Sequence, residues 1–119
     1  MKGVSKKHLF VLFALMQYLK KVNKKFKKQP LAASVSKIDF IRILKSSKIT
    51  AKSQRGLYRN LEVLEKNKLV SYDNKFLKLT KKGLIKAREI EKDIAPYIIL
   101  MKKLEKKKIK KDSLQAYFK

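Results

Sequence analysis

The chain has 119 residues, of which 45% are hydrophobic, so it is long enough for one compact domain but not for a second core. Lysine and arginine outnumber aspartate and glutamate 33 to 9, which gives a formal net charge of +24. No cysteine is present, which excludes a disulfide framework and a thiolate metal site and is compatible with an intracellular location.

The excess of positive charge indicates a polyanionic partner. Self-repulsion on this scale destabilises a compact protein, and DNA, RNA or an anionic membrane surface would neutralise it. Nearly all the cations are lysines, which suit phosphates as point charges, whereas arginine forks more often read bases. The composition therefore favours backbone contacts with limited sequence selectivity. A membrane role ranks last, because the cations are spread over several segments instead of lining one amphipathic helix.

The first predicted helix runs from Ser5 to about Lys28. Its apolar residues recur at helical spacing, and a second apolar set, Leu9, Phe13 and Met16, makes its first half apolar nearly all round. We expect a partner helix from another subunit to cover this face. The apolar run is too short to span a bilayer and lacks a small-residue cleavage site, so it predicts a buried helix and not a signal peptide.

Two further helices are predicted before residue 68. Ser36 is expected to cap a short helix, and a third helix starts at Thr50 or Ser53 and ends at Asn67. The short helix is predicted to carry the apolar residues Ile38, Ile41 and Leu44. The third helix places leucines on one face and mainly cations on the other. Its leucines are Leu57, Leu61 and Leu64, and the opposite face carries Lys52, Arg55, Arg59, Glu62 and Lys66.

A hairpin and a long last helix complete the predicted order. The β-prone runs 69–72 and 76–79 are separated by Asp73, Asn74 and Lys75, which tolerate turn conformations. Thr80 is expected to cap the last helix, and Pro96 to kink or divide it. Residues 102–111 contain seven lysines and one glutamate, a block expected to fray.

Three helices followed by a hairpin and a helix is the order of a winged helix-turn-helix, whose third helix enters the major groove. The segment from Leu57 to Val70 resembles the recognition helix and wing entry of winged-helix transcription regulators. The run Leu79, Thr80, Lys81, Lys82 and Gly83 resembles the wing exit of MarR- and PadR-type regulators, as found in archaea. Lys68 stands where glycine is usual. The resemblance implies DNA binding, commonly as a dimer joined through terminal helices.

Candidate DNA contacts follow from this arrangement. Arg55 and Arg59 are the best base-edge candidates, while lysines hold phosphates. Tyr58 either contacts DNA or packs, and the hairpin tip either contacts DNA or is a plain exposed turn. The alternative for the whole stripe is a solvated helix face. The predicted set is Lys52, Gln54, Arg55, Tyr58, Arg59, Lys66, Asn74 and Lys75.

The extreme C-terminus carries a separate motif. Leu114, followed by Tyr117 and Phe118, resembles the peptide with which replication and repair proteins dock on the PCNA sliding clamp. Lys111 stands where that peptide usually has glutamine. The alternative is a last helical turn that packs these three residues on the domain or on a partner.

Catalysis has little support in the sequence. The one histidine, His8, lies at a helix start, where a helix-end or surface role is the expectation, and no metal-ligand spacing or phosphate-cradling glycine loop occurs. We therefore predict no enzyme activity, no metal site and no cofactor.

The sequence predicts a mainly α fold with a small β-hairpin, a winged helix-turn-helix with long N- and C-terminal helices. Residues 1–110 form this domain with its dimerisation helices, and residues 111–119 form a tail. The predicted function is duplex DNA binding with limited selectivity, as a transcription regulator or a chromatin-like protein. We expect a cytoplasmic, nucleoid-associated homodimer. The alternatives are a replication or repair accessory that docks on the sliding clamp, and a basic RNA- or ribosome-binding protein.

Overall fold

The computed structural model describes residues 3–47 and 53–106. These ranges are mainly helical, with a small antiparallel sheet inserted among the helices. In chain order the elements are α1 (Lys6–Val22), two 3-10 helices (Lys24–Phe26 and Pro30–Ala32), β1 (Val35–Ser36), α2 (Lys37–Ser47), α3 (Gln54–Lys66), β2 (Val70–Asp73), β3 (Phe76–Leu79) and α4 (Lys81–Lys106).

The sheet has the strand order β1-β3-β2, and both of its pairings are antiparallel. The predicted hairpin is confirmed: β2 and β3 pair from Val70 opposite Leu79 to Asp73 opposite Phe76, which leaves Asn74 and Lys75 as the turn. Asn74 has a φ of 59°, a left-handed conformation that asparagine tolerates better than most residues. The third strand, β1, was not predicted, because two residues are too few to show a period.

One hydrophobic core connects all four helices and the sheet. The predicted leucine faces are confirmed, since Leu57, Leu61 and Leu64 of α3 are completely buried. In α2 the prediction is only partly right: Ile41 and Leu44 are buried, but Ile38 is 47% exposed. Phe40, which was not assigned to the core, is buried instead and stacks on Tyr18 of α1 at a ring-centroid distance of 6.0 Å.

Helix α1 is shorter than predicted and ends at Val22 instead of about Lys28. Asn23 caps the following 3-10 helix by accepting a hydrogen bond from the Lys25 amide at 3.1 Å, which competes with continuation of the α-helix. At the other end, the Ser5 amide donates to Nδ1 of His8 at 2.9 Å. His8 is thus a helix-end residue, as predicted, but it is buried, and this burial, assisted by Lys7, lowers its pKa.

Helix α4 of the same chain packs along α1, and the expected helix of a second subunit on the broad apolar face of α1 stays a prediction. Glu91 of α4 accepts hydrogen bonds from Lys20 at 2.7 Å and from Gln17 at 3.0 Å, and the Lys20 bond lowers the pKa of Glu91. Met16 is completely buried, and Leu9 and Phe13 are half-buried.

Helix α4 runs through Pro96 without interruption, so of the two predicted alternatives, one long helix or a division at the proline, the structure has the long helix. Proline removes one backbone donor, but a helix of 26 residues retains most of its hydrogen bonds. Within the described ranges, no helix combines the length and apolar character needed to cross a bilayer.

The end of α3 explains why Lys68 is tolerated where glycine is usual. The amide of Lys68 donates to the Glu65 carbonyl and that of Leu69 to the Leu64 carbonyl, both at 2.9 Å, which is the Schellman pattern of helix termination. Lys68 itself has a φ of 58°. This lysine therefore occupies the left-handed position that favours glycine.

Replacing Lys68 by glycine is expected to stabilise the fold by about 1 kcal/mol, because a side chain in the left-handed region costs roughly 1–2 kcal/mol. Chemical denaturation followed by circular dichroism measures the effect. Lys66→Gly is the control, since Lys66 is the last residue of α3, where the backbone is right-handed helical, and glycine there should lower the stability by up to about 0.5–1 kcal/mol. Two changes of the same sign would contradict the strain at Lys68.

Candidate nucleic-acid interface

The N-terminal half of α3 presents two exposed arginines one turn apart. Ser53 caps the helix, its hydroxyl accepting from the Gly56 amide at 3.1 Å. Leu57, Asn60 and Leu61 face inward and are buried, so Arg55 and Arg59 emerge on the opposite side with Gln54 exposed beside them. Sequence periodicity alone predicted this orientation, and the structure confirms it.

Neither arginine has an ion-pair partner among the residues that the structure describes. Within residues 3–47 and 53–106, the ion pairs involve other cations: Lys20 with Glu91, Arg42 with Asp39, Lys78 with Asp73, and Lys86 with Glu89. Arg55 and Arg59 thus keep their guanidinium groups available for an external anion. A capped helix N-terminus adds a further partial positive charge at the same end.

The C-terminal half of α3 has a different electrostatic character. Glu62 and Glu65 are exposed there, between Arg59 and Lys66. Lys66 lies seven residues after Arg59, about 10 Å farther along the axis at 1.5 Å per residue. From Arg55 to Lys66 the residues of the predicted stripe are therefore all exposed, but the glutamates interrupt its positive charge, and the cationic part is the first half of the helix.

The hairpin tip carries two further predicted residues. Asn74 and Lys75 are exposed, and the carbonyl of Lys75 accepts a hydrogen bond from the Lys37 amide at 3.0 Å. The tip is thus attached to the first residue of α2 and does not extend freely. This attachment fixes the hairpin tip relative to α2.

Lys37 connects the hairpin to α3 through two aromatic rings. Its ammonium lies 4.2 Å from the ring centroid of Tyr72 on β2 and 5.0 Å from that of Tyr58 on α3. Both are cation–π distances, and such contacts contribute about 0.5–2 kcal/mol. Tyr58, predicted either to contact DNA or to pack, is half-buried in this cluster.

Tyr72 stays protonated, and therefore uncharged, in this cluster because its hydroxyl is buried. Burial, with smaller contributions from Glu65, Glu62 and Tyr58, raises the pKa of Tyr72 to about 12. The ring therefore stays neutral at physiological pH. Strand β2 packs against α3, and the charges of Glu62 and Glu65 on this helix act on Tyr72 in the same direction as burial.

Sequence reasoning missed Lys37 as part of this arrangement. The sequence did contain a hint of this role. A lysine at the first position of a helix is repelled by the positive end of the helix dipole, so a nearby group that stabilises its charge is expected. The two tyrosines that compensate it lie 21 and 35 residues away in the sequence, so only the fold brings them together.

The structure does not describe the remaining predicted residues. Lys52 and the clamp-docking residues Leu114, Tyr117 and Phe118 lie outside the described residues, as does the tail 111–119. In the part of the chain that is described, no three His, Asp or Glu side chains are arranged to hold a metal ion. Comparisons with protein-family models, curated proteins and solved structures find no match for this chain.

Proposed function

We propose that this protein is a non-catalytic, winged-helix binder of duplex DNA that contacts mainly phosphates and has limited sequence selectivity. The observation that carries the proposal is the pair Arg55 and Arg59, exposed and without ion-pair partners in the described ranges, on a capped helix of a chain with a net charge of +24. Such a protein would be found on the nucleoid.

The dimensions of α3 suit the major groove. A helix with side chains is about 10–12 Å across, and the major groove of B-DNA is about 12 Å wide. Recognition helices contact base edges with their N-terminal residues, and this is the end of α3 that carries both arginines. Glu62 and Glu65 would be repelled by phosphates, which favours entry by the first half only.

The hairpin supplies a second contact beside the groove. Asn74 and Lys75 are exposed at its tip, and the Lys37 cluster holds β2 against α3. Contact through the tip would therefore be made in a fixed position relative to Arg55 and Arg59. A rigid second contact adds affinity at a lower entropic cost than a flexible arm.

The limited selectivity follows from the balance of side chains. Only Arg55 and Arg59 among the exposed cations of α3 have the fork that pairs with guanine, and each good bidentate pair contributes roughly 1–3 kcal/mol of discrimination. The numerous lysines contribute affinity that is independent of sequence. With so few arginines and so many lysines, a chromatin-like role fits the protein better than the role of a regulator that binds one strict site.

Fluorescence anisotropy of a labelled duplex of unrelated sequence, titrated at several salt concentrations, tests the proposal. The logarithm of affinity should fall with the logarithm of salt at a slope that corresponds to roughly 5 or more phosphate contacts, at about 0.9 per contact. Unlabelled duplex RNA of equal length should compete less well than DNA, because its deep, narrow major groove does not admit a helix. Better competition by RNA would replace DNA by RNA as the ligand.

A further inference from the structure

A second concentration of positive charge lies where α1 ends and the first 3-10 helix begins. Residues 20–28 contain six lysines and no acidic residue. All six lysines are exposed, and within the described ranges only Lys20 has an ion-pair partner, which is Glu91 of α4 at 2.7 Å. We call the other five the lysine patch: Lys21, Lys24, Lys25, Lys27 and Lys28.

The lysine patch is anchored to the domain by a buried ring and by backbone hydrogen bonds. Phe26, in the middle of the segment, belongs to the hydrophobic core. The side chain of Asn23 accepts a hydrogen bond from the Lys25 amide at 3.1 Å. The Lys25 carbonyl accepts from the amides of Lys28 at 3.1 Å and Gln29 at 2.7 Å. The lysines therefore extend from an ordered turn and not from a free loop.

Part of the lysine patch forms a concave surface. Lys24, Lys25 and Lys28, together with Gln29, line an open concavity with a volume of about 440 Å³. Like charges held close together repel one another and destabilise the compact state. An external polyanion seated between these ammonium groups would remove that repulsion.

The lysine patch lies toward the base of the hairpin, whereas Asn74 and Lys75 form its tip. Strand β1 runs toward the tip, because Val35 pairs with Leu77 and Ser36 with Phe76, next to the turn. The residues that precede β1 therefore lie toward the base. There the second 3-10 helix packs on β3 and on the first 3-10 helix, which carries lysines of the patch.

The base of the hairpin is also the place where α3 ends. Val70 pairs with Leu79, and the amide of Thr80 donates to the Leu69 carbonyl just after this helix. Arg55 and Arg59 lie in the other half of α3. The lysine patch thus lies toward the end of α3 that is farther from the arginines, and a duplex seated on the arginines leaves it open.

We propose that the lysine patch binds the phosphate backbone of a second DNA duplex, so that one chain holds two duplexes together. This second site rests on the proposed binding of a first duplex by α3. Lysine ammonium groups contact phosphates as point charges and do not read bases. A duplex carries one negative charge per about 1.7 Å of its axis, so several lysines of the patch meet phosphates at the same time.

Energy transfer between two short duplexes, one with a donor dye and the other with an acceptor, measures this bridging. The wild-type chain should produce transfer. Lys24→Gln/Lys25→Gln/Lys28→Gln should lower the affinity for the second duplex at least about 10-fold and reduce its salt slope by about 2.7, at about 0.9 per contact. The matched control is Lys102→Gln/Lys103→Gln/Lys106→Gln, which removes three exposed lysines at the same spacing from the end of α4 and should bridge like the wild type.

Unchanged bridging by the patch variant would overturn the second site, because a dimer with one duplex on each α3 would bridge without the lysine patch. Equal losses for the two lysine triplets would overturn it too, since binding would then be spread over all the cations. Stronger competition by duplex RNA than by DNA for the second site would exclude DNA as its ligand.

Anisotropy of a single labelled duplex separates this inference from the proposed function. The patch variant should bind a first duplex within about 3-fold of the wild type, through the unchanged α3. A wild-type chain that binds one duplex but never bridges two would refute the second site and leave the proposed function intact. If Arg55→Ala/Arg59→Ala binds like the wild type while the patch variant loses binding, α3 is not the DNA site and the lysine patch is.

Discussion

Replacing Gly83 by alanine is expected to lower the free energy of unfolding by at least about 3 kcal/mol, at the upper end of the cost of overpacking. A Cβ at this position would lie 1.8 Å from the carbonyl oxygen of Leu69 and 2.8 Å from its carbonyl carbon. Both atoms belong to the backbone, so no side-chain rotation relieves the overlap. The start of α4 would have to move away from the end of α3.

Urea denaturation followed by circular dichroism measures this change. Ile85→Ala is the control, since Ile85 lies two residues later in the same helix and is 51% exposed. A surface change of this kind is usually within about 0.5 kcal/mol of the wild type. Equal stabilities for Gly83→Ala and the wild-type chain would mean that α4 does not begin against Leu69.

This contact gives a physical reason for the motif formed by Leu79 to Gly83. The hydroxyl of Thr80 donates to the Lys68 carbonyl at 2.5 Å and accepts from the Gly83 amide at 3.0 Å. The amide of Thr80 donates to the Leu69 carbonyl at 3.2 Å. Threonine and glycine together thus attach the hairpin exit and α4 to the end of α3. The proposed recognition helix is positioned by this attachment as well as by its leucines.

The elements that sequence predicted well are those with strong local signals. Helix α3 ends within a residue of the prediction and begins directly after Ser53, one of the two predicted starts, because Ser53 is a good cap and three leucines define a period of 3.6. The hairpin follows from the turn-forming Asn74 between two β-prone runs. The exposure of Arg55 and Arg59 needed nothing beyond this periodicity, so the main part of the candidate site was predictable.

The elements that sequence missed depend on contacts between distant residues. Strand β1 exists because Val35 and Ser36 pair with Leu77 and Phe76, and the two residues have no pattern of their own. The packing of α4 on α1 was not predicted, because an apolar face does not reveal which helix packs against it. Likewise, the contact of Lys37 with Tyr58 and Tyr72 arises only when α2, α3 and the hairpin meet.

The double variant Arg55→Ala/Arg59→Ala should weaken duplex binding roughly 100-fold, because two arginine contacts each contribute about 1–3 kcal/mol. The chain supplies a matched control: its other two arginines, Arg42 and Arg88, are also exposed, and Arg42→Ala/Arg88→Ala removes the same charge. That control should lower affinity only a few-fold, through the long-range field of the protein. Anisotropy at several salt concentrations measures both variants.

The salt dependence separates two ways in which Arg55 and Arg59 would act. If both hold phosphates, the slope of log affinity against log salt should decrease by about 2 × 0.9, and all duplex sequences should be weakened alike. If they read guanine edges, the slope should stay nearly constant while preference among sequences disappears. Equal losses for the two double variants would show that binding is spread over the cationic surface, and α3 would then have no special role in it.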